Sequence, residues 1–506
     1  MCRRNLLAQP AATLLLAWAV SCHSRTPDSP LKPPTAIPPF RQAIDLFGND
    51  SLSSIEFIQD GRAIVASDRG GEVRRLDLDS GERTTVTHSE TGTSISCLIS
   101  IPHRAMFAQG KGFYVRVFST ASNEEMKRFD LPVLGGLRAL TITPDEKYLV
   151  TSHGGVRLWD IETGVLHLNA GEIANVSSLD VSSDGVLLAT GDQNGFSVLW
   201  NLTTRKQVSR WSSHEEMITA TRFSPDGSIL ATSSTDRDIN LWSTKPRALI
   251  ASLKQNDRGV LCMVFSRDGR MLATGDMGGL IRLWEVWSGR LIMALEGHPG
   301  SVYGLSFSRR GSLASCGTEG KIFVWNPISA FIRNNGGEPS SVDELWLRLG
   351  GENAHEAYQA IGSFIQAKTK TADYFQAKHS TIDPGQEGIF SLISQLDDDD
   401  ARKREEATEE LSRLGLGAQS HIEDALRGTH NAEVRRRLEE ALNNLLVPTR
   451  MRPSTLRQLR SIQILELLGT PEAKEVLIKI AESSPSKRLM TEARAAVGRI
   501  EGIDSR

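Results

Sequence analysis

Through its first two-thirds the chain alternates apolar and polar residues in short runs, and these runs recur at a fixed step. The segments VRLWD, SVLWN, INLWS, IRLWE and IFVWN place Trp159, Trp200, Trp242, Trp284 and Trp325 at intervals of 41, 42, 42 and 41 residues. Counting back by the same step reaches Phe118 in VRVFS and Leu76 in VRRLD, so seven equivalent positions are apolar. Each interval holds an alternating strand such as TATRF, a turn such as SPDG, a second strand such as SILATSS, another turn, and then the aromatic-bearing strand. Asp favours a tight turn, and Gly supplies the positive φ that other residues reach only at a steric cost. A four-stranded unit of this kind cannot cover both of its faces, so the units must stack around an axis. The pattern predicts a seven-bladed β-propeller over residues 41–330.

Closure of the ring is also written in the pattern. After Trp325 the segment NPISAFIRNNGG offers no good outer strand, whereas RQAIDLF at 41–47 is a strand with no blade before it. The N-terminal strand is therefore expected to complete the last blade and satisfy its open edge.

From about Ser341 alternation gives way to helical spacing, which marks a second domain over 341–506. Ala407, Leu411 and Leu414 form one apolar face, and Val434, Leu438, Leu442 and Leu445 another. In LGTPEAKEVL, Gly469 ends one helix, Thr470 caps the next and Pro471 takes its first position. Short links between amphipathic helices predict antiparallel pairs, similar to HEAT-like repeats. The fold class is thus mainly β: a propeller followed by an all-α helical-repeat domain.

Residues 41 to about 328 resemble a seven-bladed WD40 propeller, with HEEMITATRFSPDGSILATSSTDRDINLWS the fullest repeat. The resemblance implies a buried chain of hydrogen bonds through His214, Thr232, Asp236 and Trp242, from indole to hydroxyl to imidazole to carboxylate. Other repeats depart from it. The Trp325 repeat keeps His298 and Ser315 but has Glu319 in place of Asp, and the Trp284 repeat has Asn256 and Gly278 in place of His and Asp. Those two blades are expected to rely on packing alone. The joining of such a propeller to segments like LDDDDARKREEATEELSRLG and EVRRRLEEAL resembles a group of bacterial exported or envelope proteins, a likeness that brings no known reaction.

The first 22 residues change the picture of location. Arg3 and Arg4 precede a short apolar stretch that ends in Ala-Val-Ser-Cys, reading as an export signal similar to a bacterial lipobox, with Cys22 as the lipid attachment residue. Ala19 departs from the usual box, so cleavage and release, or a cytosolic protein with an uncleaved N-terminus, remain as alternatives. Residues 23–40 hold six prolines and read as an extended linker. A net charge of -3 with 24% charged residues gives no electrostatic reason to expect a nucleic-acid partner. Cys97, Cys262 and Cys316 sit in strand-like segments without metal-ligand spacing, and read as buried free thiols. The acidic run 397–400 precedes a helix and lacks EF-hand spacing, and the basic run 435–437 lies among Glu433, Glu439 and Glu440.

No reaction is signalled. HEEMI at 214 and HEAYQ at 355 lack the second His of a zinc-protease helix, and neither a nucleophile elbow nor a P-loop occurs. The expectation is a non-enzymatic scaffold that binds other proteins, with no cofactor and no metal. Trp211, Arg237, Arg258 and Met277, at blade-connecting turns, are its interface candidates. Trp287 joins them because it falls off the 42-residue period, in a turn where other repeats have Thr163, Thr204 or Pro246. An exposed indole there needs a partner, either the helical tail or an external protein. A propeller enzyme or small-ligand binder working at the central channel is the alternative.

Overall fold

The computed structural model describes residues 40–502 apart from 49, 89–95, 132–135, 154, 171–174, 246, 334–340, 368–370, 381–385, 414–417, 446–450, 452 and 485. The export signal, Cys22, the linker up to residue 39, Pro246 and Leu414 lie outside the described residues. Seven four-stranded antiparallel sheets form the blades of a propeller. Their inner strands are Leu52–Ile58, Ser96–Ile101, Ala139–Ile142, Val176–Val181, Ile218–Phe223, Val260–Phe265 and Val302–Phe307, and blades 1 to 7 are numbered by them. Blade 7 is completed by Phe40–Asp45, which pairs with Lys321–Asn326 in the register Phe40↔Asn326 to Asp45↔Lys321.

Each strand's composition follows from its place in the blade. The second strands Ala63–Asp68, Leu187–Asp192 and Met271–Asp276 are buried at every residue, because a sheet lies against each face. Small side chains let those sheets approach: a Cβ on Gly275 would stand 2.7 Å from Val302 and 2.9 Å from the Cys262 thiol. Outer strands such as Glu125–Asp130 and Lys206–Ser212 face solvent and carry charge. Gly279, at φ +90, closes the turn before the Trp284 strand, where any Cβ would collide with the carbonyl of His298.

Among the described residues eleven helices follow: α1 (Pro327–Arg333), α2 (Val342–Arg348), α3 (Ala354–Ala367), α4 (Thr371–Ser380), α5 (Gln386–Gln395), α6 (Ala401–Arg413), α7 (Gln419–Gly428), α8 (Ala432–Leu445), α9 (Pro453–Leu468), α10 (Pro471–Ser483) and α11 (Lys487–Glu501). The propeller ends at Asn326 rather than at 330, because Pro327 starts α1 directly and α1 packs on α3. Ser341 caps α2 by accepting from Glu344 N at 3.2 Å, and Thr470 caps α10 by accepting from Ala473 N at 3.3 Å. The acidic run serves α6 in the same way, with Asp400 accepting from Arg402 N at 2.9 Å. Arg436 and Arg437 pair with Glu433 on the same helix, at 2.9 and 2.7 Å.

The helices do not share one core. Ile389, Leu396, Ala407, Leu411, Ile422, Val434 and Leu438 fill a lobe made of α5 to α8. The remaining helices are continuous with the propeller: Trp346, Phe364, Leu459, Ile462 and Leu477 belong to the same cluster as Met293, Leu295 and Trp325 of blades 6 and 7. Helical packing is thus divided into a lobe and a body seated on the ring.

Candidate functional site

In blade 5 the indole of Trp242 donates to Thr232 Oγ1 at 3.0 Å, and Thr232 Oγ1 lies 2.8 Å from His214 Nε2. His214 Nδ1 lies 2.9 Å from Asp236 Oδ2. Burial pushes the imidazole pKa down against the pull of Asp236, so the ring is neutral, donating from Nδ1 and accepting at Nε2. Every member of this buried chain has a partner, which fixes the turn that carries Arg237. Blade 7 does not rely on packing alone. Glu319 takes the Asp role on His298 Nδ1, His298 Nε2 meets Ser315 at 2.7 Å, and Trp325 donates to Ser315 at 2.8 Å. The extra methylene of Glu is absorbed by the turn. Blade 6 keeps half of the chain, with Trp284 donating to Thr274 at 3.0 Å. Its Arg282 pairs with Asp276 at 2.7 Å.

Arg237, Arg258 and Met277 come together on the propeller end where the inner strands begin. All three are exposed, Met277 by 43%, and their loops are tied to one another. Asn256 Nδ2 donates to Arg237 O at 3.0 Å, Met277 N to Gly259 O at 2.9 Å, and Ser301 Oγ to Met277 O at 3.1 Å. Trp211 is not part of this rim. It is 9% exposed on the outer strand of blade 4, edge-on to Trp242 at 5.6 Å and covered by the Arg247 guanidinium at 4.8 Å. Its apolar side chain alternates inward in KQVSRWS, a strand rather than a turn.

Trp287 is not an exposed indole either. It is 5% exposed within the cluster that joins blade 6 to the helical body, with the Arg270 guanidinium 5.5 Å from its ring centre. Arg270 pairs with Glu466 of α9 at 2.7 Å and Glu492 of α11 at 2.6 Å. Burial alone would lower its pKa, but those two carboxylates outweigh it and hold the group charged. Beside it Arg460 of α9 makes a two-pronged bond to Glu285, 2.8 Å to Oε1 and 2.6 Å to Oε2, with both side chains 0% exposed. Arg460 also donates to the carbonyls of Leu349 and Gly351 at 2.6 and 3.0 Å.

Sequence reasoning missed Arg270, Glu285 and Arg460, although one signal was present. Asp77 and Asp160, one place after the aromatic position in their repeats, turn back to cap their own loops. Blade 6 has the longer Glu285 there, next to the off-period Trp287.

The seven inner strands enclose a central channel of about 620 Å³. Its walls are stitched blade to blade. Cys97 Sγ donates to Arg138 O at 3.6 Å, Ser177 Oγ to Ile218 O, Thr219 Oγ1 to Val260 O at 2.6 Å and Cys262 Sγ to Val302 O at 3.5 Å. Burial pushes the Cys97 thiol up to about 11 and Cys262 up to about 12, so both stay protonated as donors. Further along, Ser306 accepts from Phe57 N at 3.1 Å and donates to Glu56 at 3.0 Å, while Asp180 accepts from Phe223 N at 2.8 Å. Burial raises both carboxyl pKa values against the pull of Arg222, that of Glu56 to about 7.

The family model for the WD domain, G-beta repeat, matches residues 205–243, 247–285 and 289–326. Each match runs from the outer strand of one blade through the third strand of the next, so three consecutive repeats, ending in blades 5, 6 and 7 of the seven-bladed ring, are similar to the WD repeat. No curated protein matches the chain.

Proposed function

We propose that this chain is a non-enzymatic protein-interaction scaffold, exported and tethered to a bacterial cell envelope through lipid on Cys22. WD40 propellers commonly act as such scaffolds. The observation that carries the reading is the rim of Arg237, Arg258 and Met277: two cations and a flexible apolar side chain on cross-braced loops, uncovered by the helical body. Exposed groups on a stiff frame bind without a large ordering cost. The hydroxyls of Ser177 and Thr219 and the thiols of Cys97 and Cys262 are engaged in joining blades, so they support a structural use better than a nucleophilic one. The α5 to α8 lobe, with Phe390 exposed, supplies a second docking surface.

The test is affinity capture from envelope fractions with the full chain and with an Arg237→Glu, Arg258→Glu, Met277→Asp variant of unchanged melting temperature. Specific partners recovered by the wild type should fall at least about tenfold in the variant, since rim charges and anchors dominate such contacts. Equal recovery by both proteins, or turnover of a substrate by the purified chain, would overturn the scaffold reading. Cys22→Ser should move the protein out of the membrane fraction; unchanged partitioning would remove the tether.

A further inference from the structure

The channel carries more positive charge at its mouth than its architecture requires. Its inner strands all begin at the end that bears the Arg237 rim, and there the cavity is lined by Arg69, Arg138, Met217 and Tyr303. Arg69 lies in the turn between two strands of blade 1, with its guanidinium stacked over the Tyr303 ring of blade 7 at 4.8 Å. Arg138 stands one residue before the inner strand of blade 3, and Arg222 lines the same cavity deeper in blade 5. Among the described residues none of these three guanidiniums is in an ion pair, although elsewhere on the ring Arg74, Arg104, Arg128, Arg270 and Arg282 all are.

Most other polar groups of the wall are engaged, the Ser178 hydroxyl being an exception. Ser53, Ser177, Thr219 and the thiols of Cys97 and Cys262 donate to carbonyls within or between blades. What remains at the mouth to meet a ligand is a pair of planar, permanently charged donors from two different blades, Arg69 and Arg138, the first held in place by an aromatic face, whereas Arg222 donates to Thr221 O at 2.8 Å and answers Glu56 and Asp180. Guanidiniums so placed match carboxylate and phosphate oxygens. A cavity of this size admits a small molecule or a few side chains. The half-buried carboxyls of Glu56 and Asp180 make the far end unfavourable for an anion, which places the ligand at the mouth.

We propose that the channel mouth is an anion-binding site in which Arg69 and Arg138 bind a carboxylate- or phosphate-bearing group. The ligand is either a free small anion or the acidic side chains of a peptide, which share this chemistry. The site stands independently of the scaffold reading, since its residues are not those of the outer rim.

Isothermal titration calorimetry on the full chain, with citrate, inorganic phosphate and an Asp/Glu-rich peptide amidated at its C-terminus, tests it. At least one probe should bind with one-to-one stoichiometry and weaken with salt. Arg69→Gln with Arg138→Gln should lower that affinity at least about tenfold, as expected for two charge-assisted contacts. Arg62→Gln with Arg310→Gln, exposed at the opposite end of the ring, should leave it unchanged. Citrate or phosphate without peptide identifies a free anion, and the reverse identifies a peptide. No binding by any probe at millimolar concentration, or equal binding by the Arg69/Arg138 variant, overturns the proposal. Both side chains are exposed, so a melting curve matching wild type separates lost binding from lost fold.

Discussion

Glu56 is a half-buried carboxyl with one hydroxyl partner, Ser306, and it faces Arg222 from blade 5. Its pKa is raised from 4.5 to about 7, so the folded ring holds this proton more tightly than the unfolded chain does. The sign follows: the favourable contribution is complete below about pH 4.5, and stability drains away as pH rises toward 7. A shift of this size corresponds to about 3 kcal/mol above pH 7. Glu56→Gln keeps an acceptor for Ser306 and removes the charge. It should therefore melt higher than wild type at pH 8, with the difference shrinking to nothing near pH 5. A constant difference between pH 5 and 8, measured by thermal denaturation in matched buffers, would show that Glu56 does not titrate in the ring. Nothing in the alternation of LSSIEFI marks this residue, because its cost arises from inner strands more than a hundred residues away in sequence.

At the scale of elements, the junction between blade 6 and α9 holds a fully buried ion pair, Glu285 with Arg460, beside the Arg270–Glu466 pair and a shared apolar cluster. Removing one partner strands the other charge out of water, which costs about 3–5 kcal/mol, whereas removing both can be nearly neutral. Arg460→Met should lower unfolding free energy in denaturant by that amount, and adding Glu285→Leu should recover part of it. Recovery stays incomplete because Arg460 also serves the carbonyls of Leu349 and Gly351. An Arg460→Met protein as stable as wild type would mean that the pair is solvated.

This junction also divides what the sequence made legible from what it hid. The blades, their turns and the leftover strand that forms the ring's clasp follow from periodicity, which can be read, and the buried chain from Trp242 to Asp236 is implied by the resemblance of one full repeat. Docking of the helices joins residues 175 positions apart, such as Glu285 and Arg460, and leaves only an off-period Trp287 and a lengthened acid as traces. Trp211 misled for the same reason: its burial depends on Arg247 and Trp242 of the next blade. The mouth arginines fall in turns or at strand ends, where charge is ordinary, and only the ring's curvature brings them together.

For the whole molecule the decisive feature is that the clasp and the helical body meet. Phe40–Asp45 closes blade 7 against Lys321–Asn326, the chain enters α1 at the next residue, and α1 packs on both the clasp and α3. Ile44, Leu46 and Phe47 are buried with Leu52, Phe57 and Ile322 between blades 7 and 1. Three such side chains account for on the order of 6 kcal/mol of burial. Deleting residues 40–47 removes that burial and opens the paired edge of Lys321–Asn326, leaving unsatisfied backbone groups on the strand that leads into α1. Loss should therefore spread beyond one blade. The truncated protein should melt at lower temperature with helix and sheet signals falling together by circular dichroism, and its Trp emission should shift red as Trp325 becomes wetted. A truncation that melts like the full chain, or one whose helices survive a separate loss of sheet, would show that ring and helical body are not stabilised through the clasp.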